Sequence, residues 1–175
     1  AGFEHMTGMT NAVLRKVAQA TINFKDPASL SLNIEPQILQ GWHKAYGKER
    51  TNAFLPTLFS TPKIDLTFAD ASKAKAMAEK VEGTLISDLI VRAPLGGNVT
   101  EWEGFKEGHW WVQDVAASLP VSLLGDLQDK RVIDMCAAPG GKTAQFIAGG
   151  AKVTALEIDP KRANRLSTNL SRLKM

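Results

Sequence analysis

The sequence predicts an α/β protein in two parts, a small accessory α/β unit followed by the opening of a doubly wound parallel sheet that stops short. Two observations carry this. Residues 131–156 run as apolar strand, glycine-bearing turn, helix and second strand, the order of a βαβ unit. Upstream, Ile64 to Phe68 alternates with period two, Ala71 to Val81 repeats at helical spacing, and Leu85 to Val91 alternates again.

The elements follow in order. An amphipathic helix is expected from Thr10 to Thr21, with Val13, Val17 and Ala20 on one face, and Asp26-Pro27 marks a break. Two helices are expected over Glu35 to Tyr46 and Lys48 to Phe59, because Pro36 suits a first turn and Gly47 a stop. The strand at 64–68 precedes a helix that turns Ala74, Ala78 and Val81 inward, and further strand spans Leu85 to Val91. Asp114 reads as the N-cap of an apolar helix running to Leu124. Val132 and Ile133 read as a buried parallel strand, and Lys152 to Leu156 as a second one. Asp159-Pro160 is a routine helix start, and Leu166, Leu170 and Leu173 mark the buried face of that last helix. Domain boundaries are expected at 1–25, 26–110 and 111–175.

Composition narrows the class. With 44% hydrophobic and 22% charged residues, and no apolar run near the roughly 20 residues of a membrane span, the chain reads as a soluble cytoplasmic protein without a secretory signal. One cysteine excludes an internal disulfide, and His5, His43 and His109 are too scattered to suggest a metal site. The net charge of +3 is uneven: from Arg131 onward eight Lys and Arg face three acids, against thirteen and fifteen before it. Lys161, Arg162, Arg165, Arg172 and Lys174 cluster on the last helix, either as a surface for RNA phosphates or simply as its solvated face. Trp42, Tyr46, Trp102, Trp110 and Trp111 could stack bases, but aromatics at such spacings more often fill a core.

The turn between Asp134 and Thr143 carries the chemistry. Ala137, Ala138, Gly140 and Gly141 have almost no side chain, so a ligand can approach the main chain while Gly140 or Gly141 takes a positive φ. A phosphate-binding P-loop would share Gly141-Lys142-Thr143, but its opening glycine falls at Cys136, and Pro139 removes a backbone N–H. A dinucleotide fingerprint would need G-x-G-x-x-G, which is absent. An S-adenosyl-L-methionine site remains, as does an ordinary turn with no ligand. Glu157, at the tip of the second strand, offers two acceptor oxygens for two ribose hydroxyls, with Asp159 as the nearby substitute.

Asp134-Met-Cys-Ala-Ala-Pro-Gly-Gly-Lys142 resembles the first motif of the RNA cytosine carbon-5 methyltransferases. Trp111-Val-Gln-Asp114 is similar to that family's motif just upstream, and Glu157-Ile-Asp159 to the one following. Asn11-Ala-Val-Leu-Arg-Lys16 is similar to the end of the helical, NusB-like N-terminal domain in the bacterial ribosomal RNA branch, the RsmB type, which is related to the NOL/NSUN enzymes. The likeness implies a small RNA-holding accessory domain followed by the first part of a class I, Rossmann-like methyltransferase sheet. It implies that Cys136, Ala137, Ala138, Pro139, Gly140, Gly141 and Lys142 hold the methionine end of S-adenosyl-L-methionine, with Glu157 on the ribose. It also implies small-subunit ribosomal RNA as partner, with no metal and no membrane.

The family's chemistry needs a thiolate that adds to carbon 6 of cytosine, so that carbon 5 can take a methyl group. In the family two later cysteines, in Pro-Cys and Thr-Cys motifs, serve as helper and nucleophile. Cys136, the one cysteine here, sits in the cofactor turn and is expected to pack beneath it, so no residue of this chain is assigned as catalytic. The chain therefore reads as an internal fragment of a larger enzyme, inactive alone and weak or silent toward the cofactor. The alternatives are a non-catalytic RNA-binding module with a vestigial cofactor site, and a transfer RNA cytosine carbon-5 methyltransferase.

Overall fold

In the computed structural model, which describes residues 6–20, 27–94 and 97–175, the chain divides into two compact units, Ala1–Thr61 and Pro62–Met175. The division falls inside the span 26–110 that the sequence groups as one accessory unit. Thr21, Asp26 and His5, singled out above, lie outside the described residues.

The first unit holds helices α1 (Thr7–Gln19), α2 (Pro27–Ser31), α3 (Pro36–Tyr46) and α4 (Lys48–Leu58). Gly47 separates α3 from α4 at φ +80, a conformation that glycine reaches without a Cβ clash. Trp42 and Tyr46 of α3 meet Phe54 of α4 edge-on, at 5.4 and 6.1 Å between ring centroids. The apolar stripe of α1 is exposed at Val13 and Val17.

The second unit contains both sheets. The accessory sheet has strand order β2-β3-β1-β4, formed by β1 (Ile64–Phe68), β2 (Thr84–Ser87), β3 (Ile90–Ala93) and β4 (Trp110–Val112), all antiparallel. The stretch Leu85 to Val91, expected as one strand, is instead a hairpin: Asp88 and Leu89 turn the chain between β2 and β3. Asp at a turn is physically ordinary, since its short polar side chain competes with ladder bonding. Helix α5 (Ala71–Lys80), capped where the Asp70 carboxylate accepts from the Ser72 amide, buries Ala74, Met77 and Ala78 against Leu66, Phe68, Val91 and Trp110. Trp110 and Trp111 are core residues.

Helix α6 (Val115–Ser122) then leads to the parallel pair β5 (Arg131–Met135) and β6 (Lys152–Leu156), with α7 (Gly141–Ala148) between them and α8 (Pro160–Arg172) after. Asp114 and Asp159 cap α6 and α8 as expected, each accepting from backbone amides two residues on. The expected burial of β5 does not hold. Val132, Asp134, Val153 and Ala155 face packed side chains, whereas the alternate residues Ile133, Met135 and Leu156 are 66%, 75% and 49% exposed. The cause is that the sheet is packed on only one of its two faces, and side chains alternate between faces with period two.

Candidate cofactor site

The candidate site forms where β5 ends. Asp134 is its last buried residue, and its Oδ2 accepts from the Thr143 hydroxyl at 2.5 Å, tying the strand to the first turn of α7. Between them the chain reverses through two positive φ values, +61 at Cys136 and +108 at Gly140. Of the two glycines expected to need this freedom, Gly140 has it and Gly141 does not. Cys136 is the surprise, because a side-chain-bearing residue takes the left-handed conformation. This turns its thiol outward, so Cys136 is exposed and not packed beneath the turn as expected.

The turn is held from outside by α8. Arg162 donates from Nη2 to the Ala138 carbonyl at 2.8 Å, and Asn169 donates to the Pro139 carbonyl at 2.8 Å. Leu166 packs on Ala137 and Ala138, and a Cβ at Gly140 would stand 2.8 Å from its Cδ1. From the inside the Ala137 amide donates to the Leu156 carbonyl. Gln113 supports the other flank. Its side chain lies 3.6 Å from where a Gly141 Cβ would stand, and it is fixed by accepting from Trp111 Nε1 at 2.7 Å and donating to Gln145 at 2.9 Å.

These groups surround a cavity of about 500 Å³, within the size range of small-molecule sites. Cys136, Ala137, Ala138, Pro139, Gly141 and Lys142 all line it, as do Gln113 and Asp114, while Gly140 faces α8 instead. Glu157 is placed beside the turn and is not part of the cavity lining. Its side chain is buried, Oε1 accepts from the Asp159 amide at 3.2 Å, and Oε2 lies 3.4 Å from Arg162 Nη2, in ion-pair range but without a hydrogen bond. Asp159 is committed to capping α8.

Two of the five basic residues on and just past α8 turn inward. Arg162 meets the turn, and Arg172 donates from Nη1 to the carbonyls of Phe105 and Trp110, while burial pushes its guanidinium below its ordinary pKa. Lys161, Arg165 and Lys174 stay exposed. Sequence patterning could not separate these roles, because it fixes which side of a helix a residue occupies but not what a long side chain reaches around to. Among the described residues no group of three or more His, Cys, Asp or Glu could hold a metal ion, and no helix is long and apolar enough to cross a membrane.

Residues 121–175 match the family described as 16S rRNA methyltransferase RsmB/F. A ribosomal RNA small subunit methyltransferase B from Erwinia tasmaniensis is 38% identical over 112 residues, which are 63% of this chain and 25% of that protein. The crystal structure of a methyltransferase homolog protein from Pyrococcus horikoshii superposes with a TM-score of 0.67 at 17% identity, covering 89% of this chain and 54% of that one. NSun6 from the same organism, solved with SFG, gives 0.64 at 12% identity over 80% of this chain and 63% of that one. The two structures share the fold. The chain spans about a quarter of the length of the Erwinia relative.

Proposed function

We propose that the chain, whose residues 121–175 match the RsmB/F methyltransferase family, is the accessory and cofactor-holding part of an enzyme that methylates carbon 5 of a cytosine in small-subunit ribosomal RNA, using S-adenosyl-L-methionine. The observation that carries the reading is the cavity whose wall is the small-residue turn 136–142. The fit to the cofactor rests on two features. The turn presents main chain where larger side chains would block it, and Glu157 keeps a buried oxygen, Oε2, without a hydrogen-bond partner. Its ion-pair neighbour is Arg162 Nη2 at 3.4 Å, too poorly aligned to hydrogen-bond, and a ribose hydroxyl is a donor of the right kind for the acceptor so left.

Main-chain groups of residues 136–142 then hold the amino acid end, and Glu157 takes the ribose. The cofactor supplies a methyl group carried on a sulfonium. Asp134, Thr143 and α8 keep the turn's shape, so that binding does not have to order it. Lys161, Arg165 and Lys174 offer exposed charge to RNA phosphates. The target base leaves its stack for a thiolate to reach carbon 6. Cys136 belongs to the turn and is given no part in that step, and a cytoplasmic setting fits an RNA substrate of this kind.

Bisulfite sequencing of RNA from cells lacking the gene tests this. The expected result is the loss of 5-methylcytosine at one position of small-subunit ribosomal RNA. Loss in a transfer RNA instead would move the substrate, and unchanged methylation everywhere would overturn the reading.

A further inference from the structure

Helix α8 touches two things at once. Along its length Arg162, Leu166 and Asn169 grip the turn at Ala138, Gly140 and Pro139. At its end Arg172 grips the accessory sheet, donating to Phe105 O at 2.6 Å and Trp110 O at 3.0 Å, with its guanidinium carbon 4.0 Å from the centre of the Phe105 ring. Gly108 packs so closely that a Cβ there would collide with the Arg172 carbonyl. Strand β4, which starts at Trp110, runs on to Gln113 on the opposite flank of the turn. Chain and contacts thus form a closed ring, from β4 to Gln113, to the turn, to α8, and through Arg172 back to β4. The ring encloses a cavity of about 190 Å³ that Arg172, Pro139 and Gly140 share.

We infer that Arg172 is a positioning residue: by pinning α8 to β4 it sets the separation of the two supports between which the turn 136–142 is held, and so couples the accessory sheet to the cofactor site. Among the described residues the guanidinium has no carboxylate partner; two main-chain carbonyls and a ring hold it, an arrangement that fixes a distance between backbones and does not merely neutralise charge. A helix transmits that constraint because its 13 residues move as one rigid rod about 20 Å long. The consequence for cofactor binding rests on the function proposed above, while the mechanical coupling does not.

Two measurements on the intact protein separate these. In hydrogen exchange, Arg172→Met is expected to speed exchange of the amides of residues 136–142 at least tenfold while leaving β1 and β3 protected. Arg172→Lys, which keeps a cation over the ring but lacks the planar fork, should fall between, and Lys174→Met should match the wild type. In calorimetry with S-adenosyl-L-methionine, Arg172→Met should raise Kd about tenfold. Unchanged exchange in 136–142, or loss of protection throughout the second unit in both Arg172 variants, overturns the inference. Accelerated exchange together with no cofactor binding by the full-length wild-type enzyme would leave the coupling standing and remove the cofactor reading.

Discussion

Asp65 and Arg92 stand opposite each other in register on β1 and β3, joined by two hydrogen bonds of 2.7 and 2.8 Å, and the same carboxylate accepts the Val115 amide at 3.0 Å. One buried side chain therefore binds two strands of the accessory sheet and the start of α6.

Replacing it should show. The Arg92 guanidinium, aided by the Val115 amide, holds the Asp65 carboxyl below its ordinary pKa despite the opposing effect of burial. A depressed pKa contributes stability that is complete above the unfolded value near about 3.9 and is lost as pH falls through the lower folded value. Asp65→Asn is expected to cost roughly 2–4 kcal/mol at pH 7 in urea denaturation, and to remove this group's share of the acid sensitivity below about pH 4.

Gly140→Ala should damage the turn for a reason that repacking cannot cure. The contact with Leu166 involves the far end of a flexible side chain, but φ +108 is closed to alanine. A loss of at least about 1–2 kcal/mol is expected, and the double variant with Leu166→Ala should not recover it. Recovery would place the cost in the contact.

Thr143→Val keeps the shape and removes the hydroxyl that Asp134 accepts from. A loss of about 1.5–3 kcal/mol is expected, with Thr143→Ser close to the wild type. Thermal denaturation of the three proteins decides it.

Cys136 is exposed at φ +61. Glycine there should stay within about 1 kcal/mol of the wild type, while the β-branched Cys136→Val should lose about 2 kcal/mol. If the turn binds S-adenosyl-L-methionine, the cofactor should slow alkylation of this thiol by N-ethylmaleimide.

Much of this was readable from residues alone, and the reasons differ by element. The helix starts at Asp114 and Asp159 were legible because a capping carboxylate acts within three residues of itself. The turn was legible because small residues between a strand and a helix have few other uses. Strand β4 was not: Trp110, Trp111 and Val112 form a strand only because β1 offers them a partner more than forty residues away. The hairpin at Asp88 was hidden in an alternating run, since alternation continues across a tight turn. The left-handed Cys136 and the inward reach of Arg172 had no sequence signal, because both are set by contacts made after the chain has folded.

The open side of the β5–β6 pair has a practical consequence at the bench. Within these 175 residues Ile133, Met135 and Leu156 are exposed, so an environment-sensitive dye such as anilinonaphthalene sulfonate has somewhere to settle on them without any unfolding. Bright dye emission from this protein therefore does not report a molten state by itself; sharp near-ultraviolet dichroism from the buried Trp110 and Trp111 is the signal that separates the two.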